Sequence, residues 1–234
     1  EWAGATRGHF GAFEALGQPG PPSPASPVAP AWWRRPLHAS VHLAPTPFAA
    51  LPAVVGRVRE FRGNVEATLA MDGALAAPEL RGSLRGLGVA LPAGTVAPPP
   101  VDLRVDVVEH GAAGEATLAI RGPWGATQTR YVDGKARFEV GVEALLAGRP
   151  PTWDADVDVD LRAVPLSLFQ PFVAAPLGGS ASGQLHGTRL HSRPEGALVL
   201  RAADVVVGTD RVPQVTVRGG ITKGRIKASV DIQE

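Results

Sequence analysis

The stretch that most constrains this chain is Trp153 to Val207, and within it the run Asp154-Ala-Asp-Val-Asp-Val-Asp-Leu161. Every second residue is a carboxylate and every other one is aliphatic. Successive side chains of an extended strand point to opposite faces. A period of two therefore puts Asp154, Asp156, Asp158 and Asp160 on one face and Ala155, Val157, Val159 and Leu161 on the other. The strand is expected to end at Val164-Pro165, where the proline ring removes a ladder donor and presets φ for a helical first turn. Leu166 to Ala175 then reads as a short helix and Gly178 to Gly187 as a small-residue strand. Pro194-Glu195-Gly196 reads as a turn into a further aliphatic strand, Ala197 to Val207.

The same order occurs earlier: Ser40 to Leu43, then Thr46-Pro47, a short helix from Phe48 to Val58, and a strand from Gly63 to Gly73. The turn Ala76-Ala-Pro-Glu79 precedes Leu80-Arg-Gly-Ser-Leu84. Pro47 and Pro165 lie 118 positions apart, and Gly73 and Gly187 lie 114 apart. Similar offsets for two different landmarks read as an internal repeat, in which each unit buries a face against its neighbour. The expected division is residues 1–36 as the end of a preceding unit plus a linker, 37–150 as a first β-repeat and 151–234 as a second. The linker is the proline-rich segment Gln18 to Ala31, extended and semi-rigid. Trp32-Trp33-Arg34-Arg35 reads as rings packed on the edge of the first sheet, with an interfacial membrane anchor as the other reading. The chain opens on Glu1 and is expected to be an excerpt of a longer protein.

From Val101 onward the pattern is a meander. Val101 to Val107 alternates, His110 to Gly114 is a turn, and Glu115 to Arg121 is a strand. Asp133-Gly134 has the composition of a type I′ hairpin turn between Ala126–Val132 and Lys135–Val142. Gln214 to Arg218 and Arg225 to Ile232 flank a turn at Lys223-Gly224.

Composition narrows the function classes. Hydrophobic content is 44% but aromatics are only 6%, with 28 Gly and 23 Pro, which favours many thin strands over an aromatic-filled core. The net charge of +1 comes with no basic stripe, so no nucleic-acid partner is expected. Cysteine is absent, which excludes disulfides and thiolate-ligated metals and fits a periplasmic or extracellular setting. No run reaches the ~18 apolar residues of a membrane helix, and no signal-peptide pattern opens the chain.

An antiparallel sheet can leave its polar face in water, but its apolar face needs cover. The residues expected on that face are Val101, Leu103 and Val105; Leu118 and Ile120; Phe138 and Val140; Val157, Val159 and Leu161; Leu198 and Leu200; Val215 and Val217; and Ile226 and Val230. A second sheet about 10 Å away would cover them in a sandwich. With only two short helices as lids, the reading favoured is all-β: one long curved antiparallel sheet forming an open U-shaped groove with a hydrophobic interior. Strands of about 9 residues run roughly 30 Å, and each added strand lengthens the groove by about 4.8 Å. An acyl chain in such a groove gains on the order of 0.8 kcal/mol per buried CH₂.

The segment Val164-Pro165-Leu166 to Phe169 ahead of a Gly-rich strand resembles the periplasmic repeat region of TamB (translocation and assembly module) and AsmA-like proteins. So do Gly63 to Gly82 and its second version, Gly183 to Gly196. The resemblance covers about residues 37 to 234. It implies a β-taco tethered to the inner membrane and spanning the periplasm, phospholipid acyl chains as cargo, and a role in phospholipid transport to the outer membrane. It also implies a role in assembly of outer-membrane β-barrel proteins, with such an assembly protein as a candidate partner. Membrane contact would come from regions outside residues 1–234. The sequence departs from the pattern in having no N-terminal membrane helix and in its Gln18–Ala31 segment.

Catalytic and metal constellations are weighed and set aside. Asp154, Asp156, Asp158 and Asp160 invite a calcium reading, but residues two apart on a strand are about 7 Å apart, too far to share one ion. They read instead as a solvated face opposite basic side chains. His38 and His42 share a face without further ligands. Gly178-Gly-Ser-Ala-Ser182 misses the nucleophile-elbow pattern. No catalytic residue, metal site or cofactor is expected, and the chain is read as a non-enzyme. The competing readings are a non-enzymatic β-sandwich for binding or adhesion and, as a minor option, a structural spacer that holds partners apart.

Overall fold

The computed structural model describes residues 35–51, 60–74, 77–90, 99–124, 127–141, 152–173, 175–222 and 224–233. Eleven strands form one antiparallel sheet, and each pairs only with its neighbours in sequence. In chain order they are β1 (Pro36–Pro47), β2 (Arg62–Ala74), β3 (Ala77–Ala90), β4 (Val101–His110), β5 (Ala113–Trp124) and β6 (Thr127–Val140). There follow β7 (Trp153–Pro165), β8 (Leu177–Thr188), β9 (Glu195–Val207), β10 (Asp210–Thr222) and β11 (Arg225–Gln233). The sheet is open and curved, with β1 and β11 as its edges. Among the described residues the helical elements are two 3₁₀ segments, Phe48–Ala50 and Leu166–Phe172. Each follows a proline, Pro47 or Pro165, as the fixed φ of that residue favours.

Odd-numbered strands run one way, so both 3₁₀ segments fold over the same rim. The buried apolar residues Phe48, Val65, Tyr131, Val164 and Val205 gather toward that lidded rim. Phe48 meets Phe61 edge-on at 5.9 Å. Its ring also reaches Gly86, which pairs with Val65. Tyr131 is fully buried, packs over Gly122 and donates its hydroxyl to the Pro123 carbonyl. Burial pushes the Tyr131 phenol above its ordinary value.

Two irregularities recur. The β1–β2 register shifts between Leu43 and Thr46, and the β7–β8 register between Leu161 and Val164, 118 positions on. The β2–β3 register shifts between Arg62 and Asn64, and the β8–β9 register between Gly178 and Ser180, 116 positions on. Inside the second pair of bulges sit Gly63 (φ 101°) and Gly179 (φ 100°), both in the region glycine favours.

Two turn readings are shifted, since Ala77-Pro-Glu79 already pairs within β3 and Glu195-Gly196 within β9, and one is overturned outright. Asp133 and Gly134 do not turn; they lie inside the continuous strand β6, paired with Ala119 and Leu118 on one side and Asp160 and Val159 on the other. The reason is phase. A two-residue turn would pair Val132 with Lys135 and put Lys135, Arg137 and Glu139 on the apolar face. The straight strand keeps Val132, Ala136, Phe138 and Val140 together. The turn expected at His110 to Gly114 is also tighter, only Gly111 and Ala112, and β5 runs on through Gly122-Pro123. The proline-rich segment, Trp32-Trp33-Arg34, most of the helix expected to Val58 and the 150/151 boundary lie outside the described residues.

Candidate functional site: the uncovered apolar face

Paired residues of neighbouring strands share a face, so the register can be followed across the sheet. One row crosses all eleven strands: Leu43, Ala67, Leu84, Val105, Leu118, Gly134, Val159, Leu185, Leu198, Gly219 and Ala228. A second runs Leu103, Ile120, Val132, Leu161, Gly183, Leu200, Val217 and Val230. The other residues expected on this face join the same side. Val101 faces Val89, Phe138 faces Gly114 and Ala155, and Val140 faces Trp153. Val157 faces Ala136, Val215 faces Ala202, and Ile226 faces Ile221. All sixteen therefore lie on one face. Val41, Leu43, Leu69, Leu84 and Leu185 belong there too, and the sequence reading missed them although the same period of two marks them.

Among the described residues no second layer covers this face. Leu69 is 45% exposed and Leu185 40%, in strands with neighbours on both sides. On the edge strand β11, Ile226 reaches 77%. A closed core would hold such side chains near zero. Ten inter-strand steps at about 4.8 Å make the face roughly 50 Å long. Glycine lowers it locally: a Cβ on Gly134 would stand 3.3 Å from the Leu118 Cβ.

The opposite face is charged and internally paired. Arg85 meets Glu66 at 3.2 Å, Arg137 meets Glu115 at 3.3 Å, and Gln184 donates to Asp160 at 3.0 Å. His186 Nδ1 lies 2.5 Å from Asp158, and His38 contacts Asp72. A cavity of about 610 Å³ opens on this face, with Glu115, Arg137, Asp156 and Arg189 among its walls. It is a gap between long charged side chains, and three of its walls are already paired, Arg137 with Glu115 and Arg189 with Glu195 at 3.1 Å.

The aspartate row faces basic partners across the ladder: Asp158 opposes Lys135 and Asp156 opposes Arg137. Its first two members also hold the β8–β9 loop. Asp156 accepts the Arg189 N–H at 2.9 Å, and Asp154 accepts the His191 N–H at 3.3 Å and the Ser192 hydroxyl. Leu190 N–H donates to the Ala155 carbonyl at 3.1 Å, and the His191 ring stacks on Trp153 at 4.9 Å. The Ser192 hydroxyl, joined by backbone N–H groups, holds Asp154 below its ordinary value against an opposing desolvation.

Comparison with family models, with curated proteins and with solved structures returns no match. The site's chemistry therefore has to be read from its geometry. Among the described residues no helix is long and apolar enough to cross a membrane. What the arrangement can do is bind apolar surface non-covalently. Its two long rows carry only aliphatic side chains and glycine, and the ion pairs described above stand on the other side of the sheet. An exposed apolar patch of this extent marks an interaction site.

Proposed function

We propose that this chain is a hydrophobic-groove segment of a TamB/AsmA-like periplasmic protein. In this reading it holds phospholipid acyl chains during transport between the inner and outer membranes and serves outer-membrane protein assembly, without catalysing a reaction. The observation that carries the reading is the aliphatic row that crosses eleven strands with no layer over it. Each acyl CH₂ taken from water onto such a face gains about 0.8 kcal/mol, so one chain of ordinary length outweighs the entropy of its own ordering. Anchoring in the inner membrane, and docking of an outer-membrane β-barrel assembly partner, would involve segments beyond those described.

The test is native mass spectrometry of the purified chain for co-purified phospholipid. Val159→Asp and Val217→Asp each put a carboxylate into one of the two rows. Both should abolish bound lipid with an unchanged far-UV circular dichroism spectrum. Lipid retained in both variants would overturn the groove. The sandwich reading draws no support from the described residues, which form a single layer.

A further inference from the structure

Glu109 breaks the pattern of the apolar face. The register sets it in the row Ala39, Met71, Leu80, Glu109, Gly114, Phe138 and Ala155, where it is the only charged residue. It is partly buried, and among the described residues it has no ion pair or side-chain hydrogen bond. Across the sheet Gly114 stands between it and Phe138, and the Phe138 ring lies over Gly114, filling the space a Cβ would take. Glu109 stands one residue from the end of β4, at the unlidded rim.

The second half of the sheet provides an internal control. Leu80 pairs with Glu109, and Gly196, 116 positions on from Leu80, pairs with Ile221. The place that holds a carboxylate in one half holds an aliphatic side chain in the other. The sheet therefore does not need a charge there.

We infer that Glu109, with the Phe138 ring beside it, is a specificity-determining site for the ammonium of an amine-bearing phospholipid headgroup. The inference rests on the groove reading above and names the class of its guest. A carboxylate with no partner at the water-facing end of an oily face attracts a cation that arrives attached to an apolar tail. The face of an aromatic ring adds to that attraction. With the ammonium at Glu109, acyl chains run from the rim onto Val107, Val105 and Leu118. An anionic glycerol headgroup would meet like charge at the same place.

The experiment incubates the purified chain with vesicles of equimolar dioleoyl phosphatidylethanolamine and dioleoyl phosphatidylglycerol, then quantifies the bound lipids by mass spectrometry. The wild-type chain should enrich the amine lipid by about fivefold, the scale of one partly exposed ion pair with an aromatic neighbour. Glu109→Gln should return the bound ratio to that of the vesicles with total lipid unchanged. Phe138→Leu, which keeps apolar bulk, should lower the enrichment partway. Bound lipid without amine preference, or a preference that survives in Glu109→Gln, would overturn the headgroup site and leave the groove standing. A wild-type chain that takes up neither lipid would overturn the groove reading and this site with it.

Discussion

The strand pair β1–β2 with its lid and the pair β7–β8 with its lid solve one problem with different chemistry. In both, a register shift kinks the first strand just before a proline, and a glycine near φ 100° kinks the second. The residue at the first kink is Pro45 in one pair and Ala163 in the other. Proline has no N–H to satisfy. Ala163 has one, held at φ 47°, and it donates to the Ser182 hydroxyl at 2.8 Å. The lids differ in the same spirit. The first is pinned by Phe48, buried against Phe61 and above Gly86. The second is pinned by buried Gln170, whose amide donates to the carbonyls of Val173 (3.1 Å) and Ala175 (3.0 Å) and accepts from Leu177 N–H (2.7 Å). The path of the backbone recurs, while the groups that hold it are free to change.

The comparison breaks most visibly at the first lid. Phe48→Ala should cost about 3–4 kcal/mol in urea unfolding, the scale of a buried aromatic. Its counterpart Leu166, only partly buried, should cost about 1–2 kcal/mol as Leu166→Ala. Equal losses would mean the two lids are pinned alike after all. Next come the paired glycines. A Cβ on Gly63 would lie 2.5 Å from the Gly88 carbonyl oxygen, and one on Gly179 2.6 Å from that of Ala203. Gly63→Ala and Gly179→Ala should each lose about 3 kcal/mol from strain and collision together. A large gap between the two losses would refute their equivalence.

Gln170→Leu sharpens the contrast between an apolar and a polar pin. Removing the amide leaves two carbonyls and one N–H without their partner, so about 2 kcal/mol should be lost. Hydrogen exchange at the Leu177 amide should accelerate well before global unfolding. Ala163→Gly acts the other way. Relief of the positive φ should stabilise the chain by about 1 kcal/mol, read as a raised Tm.

The smallest effect concerns the β8–β9 loop. Because Asp154 is held below its ordinary value of 3.8, its contribution is fully present above that value. It is lost as the pH falls through the depressed one. The His191 amide resonance should therefore shift only below about pH 4, and Asp154→Asn should abolish that shift.

Much of the fold was legible because one-sided strands repeat a period of two, and Val101–Val107 of β4, Asp154–Leu161 of β7 and the whole of β11 show it without interruption. The Asp133-Gly134 error shows where local reading fails. The dipeptide has turn composition, but the apolar positions on either side of it keep one parity, and a two-residue turn would have broken that parity. Weighing phase over composition would have found the strand. The role of Asp154 and Asp156 in clasping Arg189, His191 and Ser192 was not legible, because those partners are more than 30 residues away and meet only through the β7–β8 pairing. Glu109 was readable as the residue that ends the Val101–Val107 alternation on its apolar side. Its isolation was not, since that depends on which residues of β3 and β5 lie opposite.

By itself the sequence determined the strands and the two faces each strand presents, since alternation is a property of neighbouring residues along an extended backbone. Only the tertiary structure decided that the apolar faces line up into one layer across eleven strands, and which side chains hold the lids and the loop. Register between strands depends on bulges, on a glycine at positive φ and on contacts distant in the chain. Those interactions become defined only when the strands are laid side by side.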